Sequence, residues 1–174
     1  MDNPYLPYPV RIDKITVETT DRNIKTFRLV FINPDDEKAF QYHPGQFAEL
    51  SVAGKGECPI GIASSPTESG FLLFTVNKAG VVTRHLHNME EGDIMGVRGP
   101  LGNWYPVETM EGKNVVIIGG GFAFTTLRAT IVYMLIPENR QRFGDISVIY
   151  GARNEGMLLY REELEAWQKR KDIH

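Results

Sequence analysis

The stretch Val115-Val-Ile-Ile-Gly-Gly-Gly-Phe-Ala-Phe-Thr-Thr-Leu127 constrains this chain most, because two kinds of secondary structure meet there across three glycines. Four consecutive apolar residues, Val115 to Ile118, read as a strand buried on both faces, as strands of parallel sheets are. Leu127, Ile131 and Leu135 then recur at helical spacing until Pro137 stops the run. A strand that feeds a helix through glycines brings unpaired backbone N–H groups to the helix N-terminus, where a phosphate can sit. Upstream the pattern is short alternating strands; downstream it is strand, helix, strand, helix. The glycine turn is therefore expected to open a nucleotide-binding half.

The upstream strands are marked by period-2 patterns and by turn residues. Val10 and Ile12, then Ile15 and Val17, alternate with polar residues across an expected bulge at Asp13-Lys14. Phe27, Leu29 and Phe31 alternate again, and Asn33-Pro-Asp-Asp36 reads as a turn. His43-Pro-Gly-Gln46 is a second turn, leading into Phe47–Val52. Gly54-Lys-Gly56 precedes a shorter segment, Cys58 to Ser64, closed by Pro66. Phe71–Val76 and Asp93–Val97 read as the remaining strands. Five or six short strands at this spacing predict a small antiparallel barrel.

One helix interrupts it, with Val82, Leu86 and Met89 on a single face, a start at Gly80 and Thr83, and an end at Gly92-Asp93. Gly99-Pro-Leu-Gly102 reads as a tight turn, and Asn103 to Lys113 as the connector to the second half. There, Ile146–Tyr150 is a second strand of the buried type, ending at Gly151-Ala-Arg153. Tyr160, Leu164 and Trp167 share one face of a helix whose other face carries Arg161, Glu162, Glu165 and Lys169. A doubly wound sheet has about five or six strands, and two cannot cover themselves on both faces. The sequence is therefore expected to be a fragment, or its sheet to be completed by something else.

Composition narrows the function classes. A formal net charge of -3 without any Lys/Arg block leaves no electrostatic footprint for nucleic acid. A single cysteine, Cys58, excludes an internal disulfide and any self-contained four-cysteine zinc or iron–sulfur site. Met1 to Val10 carries three prolines and no signal-peptide pattern. The apolar runs fall short of the roughly 18 residues a membrane span needs. A soluble, cytoplasmic protein without membrane insertion is the default expectation.

The order of parts resembles the ferredoxin–NADP reductase family, nearest to the flavin-carrying gamma subunits of soluble sulfhydrogenases and anaerobic sulfite reductases. The electron-transfer subunit of dihydroorotate dehydrogenase is a related member. The residues that carry the resemblance run through the chain: Asn3-Pro-Tyr5, His43-Pro-Gly-Gln-Phe47, Pro59-Ile60 with Ala63-Ser-Ser-Pro66, and Lys78-Ala-Gly-Val-Val-Thr83. Gly99-Pro-Leu-Gly102, Gly119-Gly-Gly121 with Leu127-Arg128, and Tyr150-Gly-Ala-Arg153 with Leu158-Leu-Tyr-Arg161 follow. No one motif is specific; the series is. The resemblance implies a flavin-binding antiparallel β-barrel over residues 1–108. An incomplete Rossmann-like parallel α/β domain for NAD(P) would follow over residues 109–174. It also implies an FAD-dependent electron-transfer subunit of a hetero-oligomer, moving electrons between NAD(P)H and an iron–sulfur, hydrogenase- or reductase-type partner. Two alternatives stay open: a flavin relay that does not bind NAD(P), and a non-flavin assembly subunit.

Residue by residue, the resemblance implies that FAD meets Pro59, Ile60 and Gly61, the strand Thr75-Val76-Asn77, and the helix start Gly80-Val81-Val82-Thr83. Cys58, Ile60 and Gly61 stand where the family has arginine, tyrosine and serine. Ile60 would lie flat on the ring. Gly61 would offer its N–H and leave room beside it, and the missing arginine shifts phosphate binding to the N–H groups and the hydroxyl of Gly80–Thr83. Arg84 is a further candidate phosphate partner. Taken alone, Gly80–Thr83 is an ordinary capped helix, and Cys58 a buried cysteine in an edge strand.

NAD(P) is expected at Gly119, Gly120, Gly121, Ala123 and Thr125, with Gly151, Ala152 and Arg153 at the next strand end. Phe124 and Ala123 depart from the usual glycines there, and a lone arginine does not decide NAD against NADP. Hydride would pass between nicotinamide and flavin N5 across about 3–3.5 Å, with no side chain acting as acid or base. His85 and His87 are two apart and point to different sides of their helix, so no metal site is expected. His43 reads as a turn residue. The family's later Cys-Gly-Pro segment and four-cysteine [2Fe–2S] segment are absent from this sequence, so such a cluster is expected only if a C-terminal segment is missing from the chain.

Overall fold

The computed structural model describes residue 3 and residues 5–174; Met1, Asp2 and Pro4, the last within the Asn3-Pro-Tyr5 stretch, lie outside the described residues. Six strands form one sheet: β1 (Tyr8–Val17), β2 (Ile24–Phe31), β3 (Phe47–Val52), β4 (Gly56–Gly61), β5 (Leu72–Asn77) and β6 (Ile94–Leu101). Their order is β4-β3-β6-β1-β2-β5, with every neighbour antiparallel. The sheet curls into a barrel-like layer that does not close.

The inward face follows the period-2 pattern. Val10 and Ile12 are fully buried, and the β1–β2 register then jumps from Ile12↔Leu29 to Lys14↔Arg28. The extra residue, Asp13, is what lets Ile15 return to the core side. Asp13 pairs with Arg28 beside it. Phe27, Leu29, Leu50, Phe74, Val76 and Val97 complete the barrel core, which α2 (Val81–Asn88) caps with the fully buried Leu86.

Three boundaries differ from the sequence reading. Asn33-Pro-Asp-Asp36 is not a simple turn but the start of a short helix, α1 (Pro34–Ala39), in which Asn33 Oδ1 caps Asp35 N–H at 3.1 Å. Helix α2 stops at Asn88 rather than at Gly92-Asp93. Gly99-Pro-Leu101 is not a turn either. It is the end of β6, carried past a register shift opposite Phe47/Glu49, and the chain turns only at Gly102, at φ +77°.

The second sheet pairs β7 (Val115–Gly120) with β8 (Ile146–Gly151) in parallel, from Val115↔Ile146 to Gly120↔Gly151. Between them run α3 (Phe124–Leu135) and α4 (Pro137–Arg140), and α5 (Arg161–Gln168) follows β8. Pro137 thus ends α3 and opens α4, the position where proline costs a helix nothing. Ile117 and Ile146 pack on Ile131, Met134 and Leu135 of α3. At the chain end, His174 donates to Ile146 O at 2.9 Å and accepts from Val148 N–H at 2.7 Å, bracketing Ser147 as a parallel neighbour does.

The expectation of a strand buried on both faces is corrected here. Val116 and Ile118 are 61% and 70% exposed and Ile149 57%, because their side chains alternate onto a face that no described element covers. No helix among the described residues is long and apolar enough to cross a membrane.

His87 ties α2 to the barrel. Its Nε2–H donates to Val76 O at 2.9 Å, its ring meets Phe27 edge-on, and Lys25 Nζ donates to His87 O at 2.8 Å. Burial pushes this imidazole below its ordinary value of 6.5, assisted by the charges of Lys25 and Lys78 and opposed by the bond to Val76. The unfolded chain therefore takes up a proton near pH 6.5 that the folded chain refuses until lower pH. Stability is full above that pH and declines as pH falls through the window below it. Denaturant titrations from neutral to mildly acidic pH should show a shallower decline in His87→Gln than in the parent; parallel declines would contradict the assignment.

Candidate functional site

Strands β4 and β5 are the two ends of the strand order, and they meet at one antiparallel bridge, Ile62↔Phe74, next to the 2.8 Å bond from Ala63 N–H to Leu73 O. Beyond that bridge, Gly61, Ile60 and Pro59 run opposite Thr75, Val76 and Asn77 with no further pairing between them. The sequence-derived flavin positions on both strands thus border the open seam of the barrel. Helix α2 follows β5 directly and starts beside β4, with Val82 Cγ2 3.9 Å from the place a Cβ on Gly56 would take. Pro59, Asn77, Gly80 and Val81 are exposed along this line, and Ile60 is half-buried.

The start of α2 leaves backbone N–H groups without intrahelical partners. Its first intrahelical bond is Arg84 N–H to Gly80 O at 3.0 Å. The N–H groups of Val81, Val82 and Thr83 precede it, and no acidic side chain occupies the first turn. The Thr83 hydroxyl, expected to face a pyrophosphate, is instead spent on the cap. Thr83 Oγ1 accepts from Ala79 N–H at 2.9 Å and Gly80 N–H at 2.8 Å, and donates to Gly80 O at 3.2 Å. Arg84 folds back onto Ala79 O at 3.3 Å. What this turn offers a diphosphate is backbone N–H groups, held in place by Thr83. With an apolar Pro59-Ile60 wall along the same seam, the residues present fit FAD.

Several neighbours are turned to other work. Val76 is in the barrel core, and Thr75 Oγ1 bonds Thr26 Oγ1 at 2.7 Å and Tyr160 Oη at 2.6 Å, so both residues present only backbone to the seam. The space expected beside Gly61 is filled. A Cβ there would lie 2.4 Å from Thr126 Cγ2 of α3, whose Oγ1 is 3.2 Å from Tyr105 Oη. Gly61 is needed for this close approach of the second half. Burial, then the charge of Glu49, raises the Cys58 thiol and so favours its protonated form.

At the glycine turn the residues separate into two groups. A Cβ on Gly119 would strike Leu127 Cδ1 at 2.5 Å, so this glycine lets helix and strand pack, and Thr125 is buried. Gly120 and Gly121 have open space where a Cβ would be, Gly121 with φ +53°, and Ala123, Gly151 and Arg153 are exposed, Ala152 half-buried, at the same carboxyl edge of β7 and β8. Phe124 stacks on Tyr150 with ring centroids 3.8 Å apart. Tyr150 Oη donates to Gly121 O and accepts from Leu159 N–H, each at 3.2 Å. Burial raises the Tyr150 phenol, which stays protonated as that donation requires.

His87 is buried in its bond to Val76, and no group of metal-ligating side chains occurs among the described residues. His43 stacks on Trp104 with centroids 4.8 Å apart. The sequence reading missed the pairing of Tyr105 with Thr126 and the buried bonds of Arg128. An arginine inside an apolar helical run was the available signal for the second; the first left none.

The chain matches the oxidoreductase FAD-binding domain family over residues 10–105 and the oxidoreductase NAD-binding domain family over residues 117–174. Sulfhydrogenase 1 subunit gamma of Pyrococcus furiosus is 38% identical over 165 residues, covering 95% of this chain and 55% of that protein. A probable dihydroorotate dehydrogenase B (NAD(+)) electron transfer subunit of Methanocaldococcus jannaschii is 32% identical over 160 residues, covering 91% of this chain and 53% of that one. The chain thus spans about half the length of the curated relatives it matches. Ferredoxin-NADP+ reductase from Plasmodium falciparum with 2'P-AMP superposes with a TM-score of 0.79 at 19% identity, over 99% of this chain and 72% of that chain. Phthalate dioxygenase reductase does so with a TM-score of 0.76 at 16% identity, over 95% and 50%. These likenesses establish the fold.

Thr83→Ala removes the acceptor for two backbone N–H groups and should lower stability by about 1 kcal/mol, with weaker retention of FAD. Thr83→Ser should behave as the parent. An unchanged denaturation midpoint and flavin content in Thr83→Ala would contradict the role given to this hydroxyl.

Proposed function

Since the chain belongs to the oxidoreductase FAD-binding domain family and carries the oxidoreductase NAD-binding domain after it, we propose that it is the FAD-binding electron-transfer part of an NAD(P)H-dependent flavin oxidoreductase subunit. Residues 1–108 would hold FAD and residues 109–174 would begin the NAD(P) domain. The observation that supports this best is the contact of Gly61 with Thr126, which sets the barrel seam against the helix that follows the glycine turn.

In this reading Pro59 and Ile60 form the wall for the flavin ring, and the N–H groups of Val81, Val82 and Thr83 take the diphosphate at the positive end of α2. Gly120 and Gly121, with Ala123 and the Gly151–Arg153 loop, receive the phosphates of the pyridine nucleotide at the carboxyl edge of β7 and β8. Thr126 and Tyr105 fill the space beside Gly61 and keep water from the junction of the two halves. Bound flavin supplies the exchange between two-electron nicotinamide and one-electron iron–sulfur chemistry. No side chain at the seam acts as acid or base, so the protein contributes position and exclusion of water.

The partner we propose is a subunit bearing iron–sulfur clusters, of hydrogenase or reductase type. The relatives are a sulfhydrogenase subunit and an electron transfer subunit. Cys58 alone cannot ligate a cluster, so the cluster would reside outside these residues. A cytoplasmic location fits this reading.

Anaerobic titration of the FAD-loaded protein with NADH should bleach the flavin band. A band that persists would favour a relay whose nucleotide half does not bind NAD(P). Gly121→Val, at a left-handed position that a branched residue adopts only under strain, should slow that bleaching at least about tenfold, or ~1.4 kcal/mol. Its FAD content should stay unchanged; equal rates would remove Gly121 from the site.

A further inference from the structure

Arg128 sits inside an otherwise apolar stretch of α3 and is 3% exposed. An unpaired guanidinium could not be kept there, and this one uses all five of its N–H groups. Nε donates to the Glu163 carboxylate at 2.8 and 3.0 Å, and Nη1 donates to Ala63 O and to Glu68 Oε2, each at 2.9 Å. Nη2 donates to Glu68 Oε1 at 3.1 Å and to Glu163 Oε1. Burial opposes the charge, but the bonds to Glu68 and Glu163 outweigh it, so the guanidinium is held above its ordinary value. Ala63 and Glu68 belong to the segment between β4 and β5; Glu163 belongs to α5 of the other half. One side chain therefore brackets three parts of the chain.

Tyr160 makes a second, parallel tie. It precedes α5 at φ +55°, a left-handed conformation strained for so large a residue, and yet is 7% exposed. Its N–H donates to Glu18 Oε2 at 2.9 Å, and its hydroxyl is 2.6 Å from Thr75 Oγ1 on the seam edge of β5. The Arg128 guanidinium lies 5.5 Å from the Tyr160 ring centre. None of these hydrogen bonds reaches Pro59–Gly61, Gly80–Thr83 or Gly120–Gly121, so the proposed flavin and nucleotide contacts do not account for them. Their placement does connect the two: Ala63 is two residues past Gly61, and Arg128 two past Thr126.

We propose that Arg128 is a positioning residue whose guanidinium, by holding Ala63 O, Glu68 and Glu163 together, sets the separation between the Pro59–Gly61 seam and the Gly120–Gly121 turn. The consequence for electron transfer rests on the function proposed above; the clamp itself does not. Lysine keeps the charge but is a single point with three donors and cannot reproduce the planar fork that meets Glu68 and Glu163 with paired bonds while also holding Ala63 O. Arg128→Lys is therefore the informative variant. Loaded with FAD, it should retain flavin in the parent's ratio. At saturating NADH its flavin should be reduced at least about tenfold more slowly, while the NADH concentration giving half the limiting rate changes less than twofold. Amide hydrogen exchange at Tyr160 and across Ser64–Glu68 should rise by about tenfold or more.

Unchanged exchange in Arg128→Lys would overturn the clamp whatever NADH does. Faster exchange with a parental reduction rate would overturn positioning and leave Arg128 a purely structural residue. A parent that NADH never reduces would sink the proposed function, and the exchange measurement would still decide the clamp. If Arg128→Lys does not fold, Glu163→Gln, which leaves the tie to Ala63 and Glu68 intact, carries the same two readouts with the exchange increase confined to the start of α5.

Discussion

An antiparallel sheet whose two edge strands touch at a single bridge leaves a line of backbone groups without strand partners, and folded proteins do not leave such edges bare without cause. Ile62↔Phe74 is that bridge here. It fixes how far apart β4 and β5 stand, where α2 must begin, and which glycine faces the second half. Every feature proposed for FAD binding lies along the opening it defines. The apolar wall comes from β4, the anion-binding turn from the helix that follows β5, and the closing contact from Thr126 of α3.

The two halves differ in what holds them. The barrel is an apolar core of Phe27, Leu29, Phe74, Leu86 and their neighbours, whose burial needs no partner of particular shape. The junction is held by polar groups with fixed geometry: Arg128 with its carboxylates, Tyr160 with Thr75 and Glu18, and Tyr105 with Thr126. Hydrogen bonds of this kind add modest net stability but are costly to break once buried, so they specify one arrangement over others. The proposed passage of electrons between two bound groups would need that kind of specification more than extra stability.

Much of this was legible in the sequence. Period-2 alternation gave β1 with its bulge at Asp13, and the strand–glycine–helix run located the parallel half, because both patterns are local. The series of short motifs pointed to a family that the matches over residues 10–105 and 117–174 support. What escaped was either ambiguous locally or set from far away. Asn33-Pro34 suits a turn as well as a helix start. The run Val115–Ile118 is apolar whether one face is covered or two, and here Val116 and Ile118 face outward. The glycine at 61 is explained by a threonine 65 positions later, and the hydroxyl of Thr83 by N–H groups it caps rather than by a ligand. The site was legible as a set of segments; which atoms of each segment are free was not.

If the opening between β4 and β5 is a flavin site, the purified full chain incubated with FAD and freed of unbound flavin should come out yellow. Its visible absorption should then correspond to equimolar FAD, and Val81→Pro, which removes one N–H from the α2 turn at the first helical position, where proline is tolerated, should retain less. Protein that comes through the same procedure colourless, with its fold intact, would contradict the assignment of the seam.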